Sequence, residues 1–578
     1  DGEVEHQYLH RWLENKGAVH KLVSAPLSVS TIDHNIPVSE GVTGGQQIAP
    51  MLRLLTSDLV LDEPDDFSLE DDPALARLVY FSGLLGSRVL LSSATLPPAL
   101  VTHLFACYQS GRSQYNQVIG QQIERPVSCA WFDEFGVKST CAIGVAEFRV
   151  NHDEFTKLRA DKLSKHSEHL HKGDWLKIEE TQLPPHQVIE TFAKTVYQGI
   201  TQLAVDHKTV SELQSSKGKT ISAGIVRMAN IEPLVAVAKY LLATPPPENT
   251  RIHYCIYHSQ HPLAVRSAIE QQLDGLLQRD RDDLQGIIKA PVVEAALKQY
   301  PQQHHIFVVL ATPVAEVGRD HDYDWAVVEP SSMRSIIQLA GRVQRHRGIA
   351  PKTTNILVLN KNIKALKGKG KVAYSKPGFE CDVPELKLST HDLREQVDQH
   401  YIKHLSSQPR FSQPPVEELY KQNRISGFIE LEHQAMRLKL HHTVAPWWSN
   451  SKAHLFAEFQ KQTPFRQSSP SIDYVCMLSE LDEEPSFKQW DRVSNELIQS
   501  SGFEPFLELL VADSNSIWGA AELPEVIEPL SEWHGTDLQE TCIQFASVSL
   551  RAPSENELGK QWLYHPVLGV FEGKEMIE

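Results

Sequence analysis

Two short apolar runs constrain this chain more than any other feature. Leu59-Val60-Leu61 leads into Asp62-Glu63-Pro64-Asp65, and Arg88-Val89-Leu90-Leu91 leads into Ser92-Ser93-Ala94-Thr95. Apolar segments of this length are expected of strands buried in a parallel sheet. Open α/β sheets bind ligands at the carboxyl ends of such strands, which is where these polar residues fall. Phosphoryl transfer needs a carboxylate to hold a metal ion and a second group to orient the attacking water. The sequence suits Asp62 to the metal and Glu63 to the water. Ser93 and Thr95 carry hydroxyls able to bond to the acidic site and to a neighbouring domain, as a coupling relay requires.

A third element lies far downstream. Gln338, Arg342 and Arg345 are spaced +4 and +7, which places them on one face if the segment is helical. Two guanidiniums on one face can reach a γ-phosphate and stabilise the charge that develops there. The alternative is a solvated basic helix end. Between these elements, the strand-like His305–Leu310 precedes Ala311-Thr312 and then Gly318-Arg319-Asp320. Gly318 permits close backbone approach, and Asp320 can accept from a ribose hydroxyl or couple to the arginines. In this order and spacing, the elements point to a nucleoside triphosphatase that moves on nucleic acid.

Asp62 through Phe67, Leu91 through Pro98, Tyr257-His258-Ser259, Ala311 through Asp320 and Gln338 through Arg345 resemble the motor of superfamily 2 helicases. More closely, they resemble the CRISPR-associated helicase–nuclease of type I systems, subtype I-F above all. The resemblance covers about residues 20 to 360 with specific motifs, and the tail only by general similarity, as at Trp562 through Phe571. It implies an α/β fold with two RecA-like parallel-sheet domains, the first incomplete, and a mostly helical carboxyl-terminal accessory domain. It also implies ATP and Mg2+ as cofactors and a translocase on single-stranded DNA. Such a translocase is recruited by an RNA-guided surveillance complex, degrades the target with a separate nuclease domain, and is a possible target for a phage-encoded inhibitor. By the same resemblance, Thr31 within Val29–Asp33, His258, Ser259 and Thr312 contact the nucleic acid. Thr31 equally suits a loop with helix-capping residues. An RNA helicase of the same superfamily and a non-catalytic docking module are the alternative readings.

One departure is plain. The phosphate loop Gly-x-x-x-x-Gly-Lys-Ser/Thr is absent. Gly218-Lys219-Thr220 imitates its end, but Leu213 stands where the first glycine belongs, and strand-like Ile221–Val226 follows where a helix belongs. No His-Asp cluster of the family's nuclease precedes Asp62. The expectation is therefore a carboxyl-terminal piece of a longer protein, inactive by itself.

Composition narrows the class. The net charge of −17 argues against a nonspecific nucleic-acid binder and requires any strand contact to be local. Seven scattered cysteines without Cys-x-x-Cys fit reduced thiols in the cytoplasm. No apolar run approaches the roughly 20 residues of a membrane span.

Along the chain, residues 1–124 read as the later part of the first helicase domain, with a strand at Ala18–Val23, a loop at Gly41–Gly45 and a helix from Ile48 to Leu55. Residues 125–220 read as an insertion. Its His166, His169 and His171 are spaced too loosely for a metal site and suit a solvated face. Residues 221–360 alternate strand and helix as a second helicase domain, in which Arg227 and Arg266 serve either salt bridges or a nucleic-acid backbone. Residues 361–384, with Lys361, Lys364, Lys367, Lys369 and Lys371, read as a basic linker. Residues 385–578 form the tail, helical in pattern from Ile429 to Leu440, with Trp447-Trp448 either buried or stacking on bases.

Overall fold

The computed structural model describes residues 23, 25–40, 45, 47–166, 169–316, 318–368, 372–413, 427–443, 463–466, 471–478, 485–491, 493–499, 502–552 and 561–573. They fall into two compact units. One lies within Asp1–Ser167, Ser407–Ile425 and Glu430–Ser468, the other within Glu168–Ser406, Ser426–Ile429 and Ser469–Glu578.

The first unit is built on two strands. β1 (Leu59–Asp62) and β2 (Val89–Ser92) pair in parallel, in a register that runs from Leu59 opposite Val89 to Asp62 opposite Ser92. The helix between them, Asp72–Leu84, is buried over nearly its whole length. The helix after β2, Pro98–Val118, starts at a proline as the Pro97-Pro98 pair suggests. These two helices cross through glycines. A Cβ on Gly83 would lie 2.3 Å from the Tyr108 carbonyl oxygen, and one on Gly111 would lie 2.1 Å from that of Tyr80. A hairpin of β3 (Val127–Asp133) and β4 (Gly136–Ala142) packs with the helix Val145–Ser164 around Phe105, Trp131 and Phe148. The expected helix at Ile48–Leu55 is present as Ile48–Thr56. Of the expected strand at Ala18–Val23, only Val23 is described, and it is helical. The Gly41–Gly45 loop, apart from Gly45, lies outside the described residues.

The second unit is a mainly parallel sheet. Its strands are β5 (Gly173–Leu176), β6 (Thr209–Val210), β7 (Thr220–Arg227), β8 (Thr250–Tyr257), β9 (His304–Ala311), β10 (Trp325–Val328) and β11 (Ile356–Leu359). Among the described residues the order is β8-β9-β7-β10-β11-β5, with β6 antiparallel to β7 and a strand from the tail, Asn515–Ile517, on the free edge of β8. Every residue of β7 and β8 is buried, as central strands covered on both faces require. The helices Ile231–Ala243 and Leu263–Leu277 separate strands in the alternation expected over 221–360.

Several expectations are corrected. The second domain does not begin at 221: β5 pairs with β11, and the helix Pro185–Asp206 buries Val188, Phe192, Val196 and Ile200 in the same core. The short β5, Gly-Asp-Trp-Leu, thus joins a sheet whose other strands lie far along the chain, which local pattern does not reveal. The tail is not mostly helical. It is helical over Phe428–Thr443, but beyond that it forms β12 (Ser471–Met477), β13 (Ser486–Asp491), β14 (Glu496–Gln499), β15 (Phe503–Pro505), β16 (Asn515–Ile517), β17 (Ser547–Arg551), β18 (Gln561–His565) and β19 (Gly569–Gly573), with two helices between. β16 extends the large sheet by pairing with β8, Asn515 opposite Ile252. The basic linker is anchored at its start, where Lys361 is buried and donates to the carbonyls of Ile178 and Glu180, each at 3.1 Å. His171 is not part of a solvated face, since its ring bonds to the Val343 carbonyl at 2.9 Å. The described residues hold no cluster of three or more His, Cys, Asp or Glu able to bind a metal, and no helix long and apolar enough to cross a membrane. Trp447 and Trp448 lie outside the described residues.

The glycine crossing behind β1 and β2 is open to test. Gly111→Ala removes a poor helix former, a gain of about 1 kcal/mol. It also drives a methyl into backbone, which typically costs about 1–3 kcal/mol. Net destabilisation is expected in chemical denaturation; equal or greater stability refutes the crossing.

Candidate functional site

Parallel pairing in this register sets the acid motif beside the hydroxyl motif. Ser92 Oγ donates to Asp62 Oδ1 at 3.0 Å, Ser93 Oγ to Glu63 Oε2 at 2.7 Å, and Thr95 Oγ1 to Asp65 Oδ2 at 2.7 Å. Asp62 is exposed, Glu63 half-buried, and Asp65 and Thr95 buried. Glu63 sits at φ 46°, ψ 52°, the left-handed region that a side chain rarely adopts. Such a conformation persists only where the surroundings enforce it. Here the Glu63 N–H donates to the Ser92 carbonyl at 2.7 Å, and the Asp66 N–H donates to that of Glu63 at 2.9 Å. Burial raises the Glu63 carboxyl above its ordinary value, the Ser93 hydroxyl draws it back, and the charges of Asp65, Asp66 and Asp62 raise it further. A carboxylate lifted in this way is a stronger base than a free glutamate.

Asp62 fits a magnesium ion brought in on a nucleotide: one exposed carboxylate is enough where phosphate oxygens and water complete the coordination. Glu63 and Ser93 also border a cavity of about 1010 Å³ whose other walls include Val60, Leu90, Trp131 and Phe148.

The second unit gathers Gln338, Gly318, Asp320, Arg342 and Arg345, but not on a helix face. The helix carrying Gln338 runs from Met333 to Ala340, capped by Ser332, and stops short of both arginines. Val343 forms a bridge with Tyr323, whose N–H donates to the Arg342 carbonyl at 2.8 Å, and Gln344 takes a φ of 54°. That pairing draws the chain out of the helix. The two arginines consequently differ. Arg342 is half-buried, and its guanidinium donates to the backbone carbonyls of Arg319 and Glu316. Burial, with Arg345 nearby, lowers its basicity. Arg345 is exposed, its side chain 38% accessible, and pairs with Asp320 at 2.9 Å. Gly318, at φ 73°, allows the loop its turn.

The proposed nucleic-acid contacts separate. Thr31 is exposed at the start of a short 3-10 helix and makes no capping bond with its side chain. Ser259 is exposed after β8. Thr312 is buried, its N–H directed to the Tyr257 carbonyl at 3.3 Å. His258 is corrected: it is fully buried. Its Nδ1 accepts from the Gln260 N–H at 3.1 Å, so its Nε2–H donates to the Leu568 carbonyl at 2.8 Å. Burial pushes it down to about 4. The β18–β19 turn covers it; Gly569 passes so close that a Cβ there would meet His258 Cε1 at 2.8 Å.

Sequence reasoning left Arg227 open between two roles and missed Arg347. Arg227 settles as a salt bridge: wholly buried, it donates through Nε to Glu316 Oε1 at 2.6 Å and through a terminal nitrogen to the Glu329 carbonyl at 2.9 Å. Glu316 thus holds Arg227 by its side chain and Arg342 by its carbonyl. Arg347 lies only two positions past Arg345, yet it is buried, bonding to Asp322 at 2.7 Å and Asp324 at 2.6 Å. Burial opposes ionisation of Asp324, but Arg279 and Arg347 together hold its carboxyl well below the usual range. Lys219 donates to the carbonyls of Leu297 and Tyr300, so Gly218-Lys219-Thr220 cradles no phosphate.

Comparison with known proteins bears on this geometry. A family model described as CRISPR-associated nuclease/helicase Cas3, C-terminal, matches residues 220–348. The chain is 43% identical over 589 residues to the CRISPR-associated nuclease/helicase Cas3 subtype I-F/YPEST of Pectobacterium atrosepticum, covering 99% of this chain and 52% of that protein. It is 39% identical to the protein of the same description from Pseudomonas aeruginosa, over 98% and 52% respectively. The chain therefore spans about half the length of the curated relatives it matches. T. fusca Cas3 crystallised with ADP shares the fold at a TM-score of 0.54 and 14% identity, covering 97% of this chain and 58% of that one. The AMPPNP form gives 0.51 and 15%, with the same coverage.

The buried Arg227–Glu316 pair makes a direct prediction. Arg227→Met removes the guanidinium from which buried Glu316 accepts at 2.6 Å. Breaking a buried pair from one side costs about 3–5 kcal/mol, and a loss of this size is expected in urea denaturation. A change under about 1 kcal/mol would show the pair to be incidental.

Proposed function

We propose, on the premise of this chain's strong homology to the Cas3 nuclease/helicases of subtype I-F/YPEST, that it is the motor portion of an ATP-dependent translocase on single-stranded DNA serving type I CRISPR interference. The observation that carries the reading is the parallel register of β1 and β2. It presents the Asp62 and Glu63 carboxylates at a strand end, each held by a serine hydroxyl. Nucleotide as the ligand is supported by the T. fusca Cas3 structures with ATP, ADP and AMPPNP.

In this reading Asp62 would hold a magnesium ion, which would supply positive charge against the charge that develops on the phosphates. Glu63 orients the attacking water through the carboxylate oxygen that Ser93 leaves free to accept. Arg345, exposed and paired with Asp320 at the surface, is the finger that reaches the γ-phosphate. Arg342 anchors the Gly318 loop through two carbonyls and so sets where Arg345 stands. Gln338 contacts the nucleotide from the last turn of its helix. Thr95, bound to Asp65, relays the state of the acid motif. Thr31 and Ser259 contact the strand. A phosphate loop outside this sequence grips the β- and γ-phosphates, so the stretch alone does not turn over ATP. Nuclease chemistry, recruitment by an RNA-guided surveillance complex and inhibition by a phage-encoded protein belong to the same proposal for the whole protein.

The test uses the full-length protein. Glu63→Gln is expected to retain nucleotide binding and abolish DNA-stimulated hydrolysis. Arg345→Ala is expected to lower kcat by roughly three orders of magnitude, the low end for such fingers. Arg342→Ala is expected to lower it as well, through the loop. Unchanged turnover in Glu63→Gln sinks the reading.

pH provides a second check. Because burial raises Glu63, its working ionised form is lost as pH falls through a value above that of free glutamate. The acid limb of kcat against pH is expected above that value. Ser93→Ala removes a bond to the charged form and is expected to move the limb to still higher pH. A limb unmoved by Ser93→Ala contradicts the assignment.

A further inference from the structure

We infer that Arg410 is a positioning residue for the acid motif. It rises from the short helix Gln408–Phe411 into the interior of the first unit, only 1% exposed. One terminal nitrogen lies 3.3 Å from Asp65 Oδ2, the oxygen that also accepts from Thr95 Oγ1 at 2.7 Å. The other donates to Glu432 Oε2 at 2.8 Å, and Glu432 is itself buried. The helix that carries Arg410 is fixed at two further points. His433 Nε2 bonds to the Pro409 carbonyl at 2.8 Å, and the Arg159 guanidinium lies 4.3 Å over the Phe411 ring. The inference rests on the reading of Asp62 and Glu63 given above.

Asp65 is two positions from Glu63, in the turn that holds Glu63 in its left-handed conformation. The backbone bonds to Ser92 and Asp66 close that turn above. Below it, the Asp65 side chain is clamped between Thr95 and Arg410. A buried ion pair contributes little net stability, because desolvation offsets attraction, and an apolar pair of equal volume often serves as well. What charge adds here is direction, since Arg410 fixes which way the Asp65 carboxylate, and with it the turn, can point. Thr95 joins the same oxygen to the end of β2. Arg410 thus acts on Glu63 through Asp65, without touching the nucleotide. The guanidinium belongs to a part of the chain about 345 residues from the motif it orients. The chain leaves the second unit at Ser406, four positions earlier.

The experiment compares Arg410→Met, Arg410→Lys, the triple variant Arg410→Met with Asp65→Asn and Glu432→Gln, and Glu63→Gln in the full-length protein. It measures ATP hydrolysis, thermal unfolding and amide exchange over Glu63–Asp66. Arg410→Met is expected to lower kcat at least tenfold with KM changed less than twofold, and to speed exchange in the turn. Arg410→Lys is expected to recover part of kcat, because a cation returns without the fork geometry. If Arg410→Met alone fails to fold, the triple variant, which neutralises both carboxylates that Arg410 pairs with, takes its place and is expected to fold with the same loss of kcat. Normal kcat and normal exchange in a folded variant lacking Arg410, with Glu63→Gln inactive, overturn the inference and leave the site reading standing. A fall in thermal midpoint with kcat unchanged shows a merely structural pair and also overturns it. If Glu63→Gln remains active, the site reading fails and the inference fails with it.

Discussion

The parallel pairing of β1 with β2 is the constraint on which the first unit's chemistry depends. Side chains alternate faces along a strand, so a slip of one residue would turn every hydroxyl away from its carboxylate. In the observed register three residues of one strand end meet three of the other, each acid accepting from one hydroxyl. The covalent order Asp62-Glu63-Pro64-Asp65 is thereby sorted by environment into an exposed acid, a half-buried one and a buried one. Environment, not residue type, separates their roles.

A comparable sorting occurs among the arginines of the second unit. Arg342, Arg345 and Arg347 lie within six residues of one another, yet one binds carbonyls, one pairs at the surface and one is sealed between Asp322 and Asp324. The bridge between Tyr323 and Val343 is responsible, since it converts a helical repeat into a turn whose successive side chains point to different surroundings. Glu316 then links this turn to Arg227 at the end of β7.

Much of this was legible in the sequence where local physics decides the outcome. β1, β2, β7 and β9 read correctly because apolar runs ended in turn or motif residues, and the helix Ile48–Thr56 followed its periodicity. Distant partners decided the rest. His258 looks like a surface residue at a strand end until a turn some 310 residues later covers it. Lys361 sits in a lysine-rich stretch typical of linkers, but three carbonyls from another segment draw its ammonium inside. β5 is short and unremarkable by itself, and only β11 gives it an edge to join. Arg410 lies in a segment with no periodic pattern, so nothing local reveals its tie to Asp65. Arg342 and Arg345 were identified as a pair by spacing; spacing could not show that the helix ends before them.

The tail strand β16 bears on how the second unit can be handled as a separate piece. It lies along β8, while Arg251 donates to the Asn515 and Asp513 carbonyls and Asn515 in turn donates to the carbonyls that end the helix Ile231–Ala243. A fragment trimmed after the last strand of the helicase pattern would leave β8 with a bare hydrogen-bonding edge and several orphaned carbonyls. Such an edge invites pairing with other chains. Expression boundaries drawn from motif positions alone would therefore yield a sticky half-sheet, and a soluble second lobe has to keep the distal residues that cap it.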